Sequence, residues 1–196
     1  MSETARDDEI ESTRIPGANG GTISTMALVP QVVDAVSPVP VVAAGGIYDG
    51  RGIAAALMLG AVGVNMGTRF LASRESPIDD DWKQAIIEAR SEDAVKAEVL
   101  NDIIPVPGTV GYGTVGRTLR TPFLDEWGMK RDEARRNGAR LWAEIGERLR
   151  RGQRRETLVW AGQTAGGVRE ILTVAEIMRQ LVNQAEAAFA RAPGLK

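Results

Sequence analysis

The chain has 196 residues, 43% of them hydrophobic and 26% charged, with a net charge of −2. That is long enough for a domain with a real core, and the charge balance excludes the basic surface that nucleic-acid binding demands. It contains no cysteine and no histidine, which excludes disulfides and thiolate chemistry and removes the usual general base near neutral pH.

Taken in chain order, residues 1–16 are charged and nearly devoid of large apolar side chains, and read as a disordered or degenerate N-terminal arm. Its opening, MSETARDDEIES, is too acidic for a signal peptide, and no apolar run reaches membrane-spanning length, so a cytoplasmic protein without a membrane partner is expected. Residues 15–22 hold three glycines, an asparagine and a proline, which predicts a loop. Ser24 or Thr25 is placed to cap a following helix with Met26, Leu28, Val29, Val32, Val33 and Val36 on its buried face, and Ser37-Pro38 ends it. Residues 39–44 form a short apolar run stopped by Gly45-Gly46, the pattern of a buried strand ending in a glycine turn. Asp49 is an N-cap for a helix from Arg51 to Leu59, Gly60 stops it, and residues 61–64 make a second short strand closed by Gly67-Thr68. Strand, crossover helix, strand is a βαβ unit, so the two strands should be parallel neighbours.

The two glycine turns then leave the same, C-terminal end of adjacent parallel strands, where ligands bind in open sheets and barrels alike. Without a Cβ, Gly45, Gly46 and Gly67 let backbone N–H groups approach an anion closely, which predicts a phosphate cradle. The alternative is that the glycines only end strands.

Beyond residue 75 the chain reads as mostly helix. Residues 79–89 and 92–100 have the periodicity of two short amphipathic helices, with Trp82, Ala85, Ile86 and Ala89 on one face. Residues 103–107 read as extended, and residues 108–116 as a glycine-rich linker or a flap. Arg117 and Arg120 are candidates for an acidic ligand, with solvated arginines as the alternative. The arginine-rich stretch 131–155 is interleaved with glutamates and reads as a salt-bridged helical face. Residues 171–189 predict a last amphipathic helix with Ile171, Val174, Ile177, Met178, Leu181, Val182 and Ala185 inward.

Several of these segments resemble the nitronate monooxygenase family, formerly called 2-nitropropane dioxygenases, whose superfamily also holds flavin-dependent enoyl-ACP reductases. The matching text is STMALVPQVVDAV, PVVAAGGIYDGRGIAAAL and GVNMGTRFLAS, with GRTLRTPFLDEW and WAGQTAGGVREILTVAEIMRQLVNQAEAA further on. The resemblance implies an α/β fold, a partial (β/α)8 TIM barrel in which residues 17–75 carry the family's strands seven and eight, followed by a mostly helical region over 76–192. It also implies an FMN cofactor, a small-molecule nitronate substrate and oxidation with O2. Carried over residue by residue, Gly45, Gly46, Gly67 and Thr68 form the FMN phosphate site, Asn65 and Met66 belong to the same cofactor-binding segment, and Gln163 lies in a loop near flavin or substrate, or in a plain connecting turn. The family's glycine-rich loop carries a histidine base where this chain has Asn19, and an amide is not a general base near neutral pH. The family's N-terminal strands have no counterpart here. The expectation is therefore a nitronate monooxygenase-like oxidoreductase, truncated or impaired, which pairs as a homo-oligomer or with a missing barrel half. An enoyl-reductase-like enzyme and a non-catalytic fragment that binds a phosphate ligand are the alternatives.

Overall fold

A computed structural model describes residues 23–103 and 115–191. The N-terminal arm, Asn19 and most of the glycine-rich stretch after residue 103 lie outside the described residues. The fold is α/β with many helices. Helix α1 (Thr25–Val36) leads to strand β1 (Val42–Ala44), helix α2 (Gly50–Met58) and strand β2 (Gly63–Asn65). The strands pair in parallel with Val42 opposite Gly63 and Ala44 opposite Asn65, as a βαβ unit requires. Asp49 caps α2, its carboxylate accepting from the Gly52 N–H at 3.0 Å. The strands are shorter than the apolar runs suggested, and β1 is not buried on both sides. Val41 and Ala43 face the core, whereas Val42 is about half exposed, because only one face of this two-stranded sheet is covered; Val39, ahead of the strand, is also exposed. Met26, placed on the inner face of α1 by periodicity, is likewise exposed, and Val29, Val32 and Val36 make the contact.

Helix α3 (Thr68–Leu71) follows β2, and helix α4 (Asp80–Glu88) is capped by Asp79, which accepts from the Trp82 N–H at 2.8 Å. The second helix expected over 92–100 does not form as such. A 3₁₀ turn (Ser91–Asp93) gives way to strand β3 (Ala94–Lys96), which pairs antiparallel with β4 (Arg117–Leu119), and helix α5 begins only at Glu98 and runs to Ile103. Long-range pairing with β4 overrides local propensity here.

Thr121 caps helix α6 (Pro122–Gly128), with proline in the first turn, where its missing N–H costs nothing. The arginine-rich stretch is three helices rather than one, α7 (Arg131–Arg136), α8 (Gly138–Arg150) and α9 (Arg154–Thr157), with Gly152 at φ 75° turning the chain between the last two. Its charges do pair. Arg131 and Arg135 both reach Asp102 at 2.7 Å, Arg148 reaches Glu144 and Arg155 reaches Asp81, each at 2.6 Å. The apolar sides of α5, α6, α7 and α8 form one core around Phe123, Trp127, Leu141 and Ile145. A second core under α4 gathers Ile86, Ala89, Val159 and Val168. Trp82 is half-buried beside it, donating its indole N–H to the Trp160 carbonyl at 2.9 Å under the Arg154 guanidinium.

A second 3₁₀ turn (Gln163–Gly167) and helix α10 (Val174–Arg191) bring the chain back to α2. Gly50 at the start of α2 lies directly on the α10 backbone at Leu181 and Ala185, and its N–H donates to Gln184 Oε1 at 2.9 Å. Ile177, Leu181 and Ala185 are the buried residues of α10, while Val174, Met178 and Val182, expected inward, are exposed by 37–49%. Among the described residues no helix is long and apolar enough to cross a membrane, and no acidic cluster could hold a metal ion.

Candidate functional site

The end of β1 and the end of β2 set the site. Gly45 and Gly46 take φ values of 89° and 74°, the left-handed region that a side chain makes strained. Because Ala44 pairs with Asn65, Gly46 and Gly67 each sit two residues beyond the last strand pair, at the same end of the sheet. A Cβ on Gly67 would meet no atom within 4 Å, and one on Gly46 would meet only Thr25 Oγ1 at 3.9 Å. The space above both turns is open. Among the described residues, loop hydrogen bonds use the carbonyl oxygens of Gly45 and Gly67, but none uses the N–H of Gly46, Gly67 or Thr68. Three backbone donors are thus without an acceptor among the described residues, beside glycines whose missing side chains would meet almost nothing.

Two hydroxyls hold this arrangement. Thr25 Oγ1 donates to the Gly45 carbonyl at 2.9 Å and lies 3.3 Å from that of Ala44, tying the first turn of α1 to the glycine turn. Sequence reasoning weighed Thr25 only as a helix cap. The cap position belongs to Ser24, and the signal that could have revealed Thr25 is a hydroxyl residue one turn from a glycine pair in space, which is invisible in one dimension. Thr68 is buried at 8% exposure, and its oxygen accepts from the Gly162 N–H at 2.9 Å, leaving its own proton free to donate. That bond ties the 3₁₀ turn containing Gln163 to the start of α3.

The remaining expected residues fall apart spatially. Asn65 is exposed, and Met66 packs partly on the β1–α2 core; both line an apolar groove of about 480 Å³ walled by Ile53, Phe70, Leu181 and Val182. Asn19 lies outside the described residues. Arg117 donates to the Ala94 carbonyl at 3.2 Å and Arg120 pairs with Asp125 at 2.9 Å, so both serve the second sheet and its neighbours. Arg69, immediately after Thr68, drew no attention in the sequence, yet it is only 6% exposed. Burial depresses its pKa, opposed by the carboxylate of Glu170.

Known proteins similar to this chain point to one family. The family model described as nitronate monooxygenase matches residues 14–184. The nitronate monooxygenase npaC of Metarhizium robertsii is 34% identical over 195 aligned positions, covering 88% of this chain and 51% of that protein. FabK of Thermotoga maritima superposes with a TM-score of 0.74 at 32% identity, over 92% of this chain and 55% of FabK. The nitroalkane oxidase of Streptomyces ansochromogenes superposes with a TM-score of 0.71 at 28% identity, over 86% of this chain and 45% of that enzyme. The chain spans about half, or less, of the length of the curated relatives it matches.

Proposed function

The chain belongs to the nitronate monooxygenase family, and on that premise we propose that it carries the phosphate end of an FMN site on two βα units of a (β/α)8 barrel. The observation that carries this reading is the pair of glycine turns, with donors unspent and open space above them, at one end of two parallel strands. In this reading β1 and β2 are strands seven and eight of the barrel, residues 17–75 are its C-terminal part and residues 76–192 are the helical region packed on it.

The residues fit the group. The N–H groups of Gly46, Gly67 and Thr68 and the Thr68 hydroxyl donate to phosphate oxygens, and a side chain at Gly46 or Gly67 would occupy the same volume. Gly45 faces the ligand through backbone alone, held by Thr25. Asn65 and Met66, just before Gly67, and Gln163, next to the Gly162 that bonds Thr68, would hold the rest of the flavin. Bound FMN supplies electron-accepting chemistry that no side chain here can supply. The substrate is a small alkyl nitronate, oxidised with O2. A nitronate arrives already deprotonated, so Asn19 needs only to orient its oxygens by hydrogen bonds and not to take a proton.

The test is the visible spectrum of the purified chain after incubation with FMN and desalting, followed by O2 uptake on addition of a nitronate. Retained flavin absorbance and nitronate-dependent uptake are expected. Retained flavin without uptake overturns the oxidoreductase part and leaves a phosphate-ligand module. A colourless protein that also fails to bind inorganic phosphate overturns the cradle itself.

A further inference from the structure

A second polar cleft lies beside the glycine turns and plays no part in the cradle. It has a volume of about 290 Å³ and is bounded by Tyr48 and Arg51 at the start of α2, by Arg69 in α3, and by Arg169, Glu170 and Gln180 at the entry to α10. Arg69 is the residue that the fold does not account for. An arginine carries five N–H donors in a rigid fork and stays charged at any physiological pH. Here the side chain is buried, yet its single hydrogen bond among the described residues runs from Nη1 to the Glu170 carbonyl at 3.0 Å, and no carboxylate there forms an ion pair with it. A buried cation with most of its donors unspent is costly unless an acceptor arrives.

The surroundings favour an anion. Arg51 donates to the Asp49 carboxylate at 2.6 Å and its Nη2 lies 3.5 Å from the Tyr48 hydroxyl, so the carboxylate nearest the mouth is already neutralised. Arg169 donates to the carbonyl oxygens of Ala89, at 2.9 Å, and Gly166. The Glu170 carboxylate accepts from Gln180 at 3.3 Å. Three guanidinium groups therefore border the cleft against two carboxylates, and the deepest of the three is the one whose donors are free. Planar guanidinium forks of this kind match the two oxygens of a carboxylate or phosphate.

We propose that the Arg69 cleft binds the carboxylate or phosphate group of a small molecule, as a site separate from the cradle at Gly46 and Gly67. It does not rest on the flavin reading, because neither Arg69 nor Arg51 contributes to the cradle.

The test uses the full chain carrying Gly46→Asp, which fills the cradle with a like charge whatever that cradle binds. Inorganic phosphate and malonate are titrated separately by calorimetry. One saturable site is expected for at least one of them; tighter phosphate assigns a phosphate ligand and tighter malonate a carboxylate ligand. Adding Arg69→Gln removes the site. Since Arg69 is buried and its loss can unfold the chain, Arg51→Glu is the companion variant. Its side chain is 67% exposed, so the fold is kept, while the reversed charge at the mouth weakens binding by about tenfold. Absence of both anions from the Gly46→Asp chain overturns the proposal, and so does unchanged affinity in the Arg51→Glu background.

Discussion

Replacing Gly46 by Asp separates the backbone role of that glycine from its role towards an anion. The fold should survive. An ideal Cβ at this position has only Thr25 Oγ1 near it, at 3.9 Å, so nothing needs to move. The remaining cost is conformational, since φ is 74°, and amounts to about 1 kcal/mol for an L-residue held in the left-handed region. In a chain of this size that lowers Tm by about 2–4 °C. Ligand binding should suffer more. A carboxylate about 5 Å from a phosphate charge is repelled by about 1 kcal/mol in a water-like dielectric and about 3 kcal/mol at an effective value of 20. Gly46 is exposed, and a phosphate monoester carries more than one charge, so about 1.5–3 kcal/mol, a factor of roughly 10 to 150 in Kd, is the expected loss. Gly46→Ala carries the same backbone strain and puts a methyl in the cradle without the charge, so it should bind more weakly than the parent but more tightly than Gly46→Asp. The assay is quenching of FMN fluorescence on titration with protein, with the melting curve measured alongside. Equal affinity for parent and Gly46→Asp would refute the cradle. An equal loss in Gly46→Ala and Gly46→Asp would refute the electrostatic reasoning, leaving strain and the filled volume as the cause.

Gly50→Ala should destabilise the chain by about 3 kcal/mol, the upper range for overpacking, because the new methyl meets the α10 backbone at Leu181 and Ala185 rather than a side chain that can rotate; Gly63→Ala, with no atom within 4 Å, is the control in the same denaturant titration. Burial alone would raise the Asp102 carboxyl, but hydrogen bonds from Arg131 and Arg135 outweigh it and hold its pKa below the ordinary value. That stability is present above the unfolded carboxyl pKa and lost as pH falls through the lower folded one, so Asp102→Asn should cost about 1–2 kcal/mol at pH 7 and flatten the acid limb of a stability–pH curve below about pH 4. A variant that unfolds along the parent's acid limb would show that Asp102 does not set it. Trp82→Phe removes the hydrogen bond to the Trp160 carbonyl and weakens the stack with Arg154, and should lower stability by about 1–2 kcal/mol in chemical unfolding with no effect on anion binding.

The amino-acid sequence by itself determined the βαβ unit and the two glycine turns, because those depend on local signals: apolar runs, a capping aspartate, and residues able to take positive φ. It also determined family membership through motifs around Gly46 and Gly67. It misjudged which side chains are covered. Periodicity marks an apolar face but cannot say whether a partner lies on it, so Met26, Val42, Met178 and Val182 were assigned inward and are exposed. It made a helix of residues 94–96, which pair with a strand more than twenty positions later, and such pairing has no local signal. Only tertiary structure decided that Thr25 braces the Gly45 carbonyl, that Thr68 holds Gly162, and that Arg69 is buried without an ion pair among the described residues. Each of those facts joins segments that are distant in sequence, as Arg69 does with Glu170, 101 positions later.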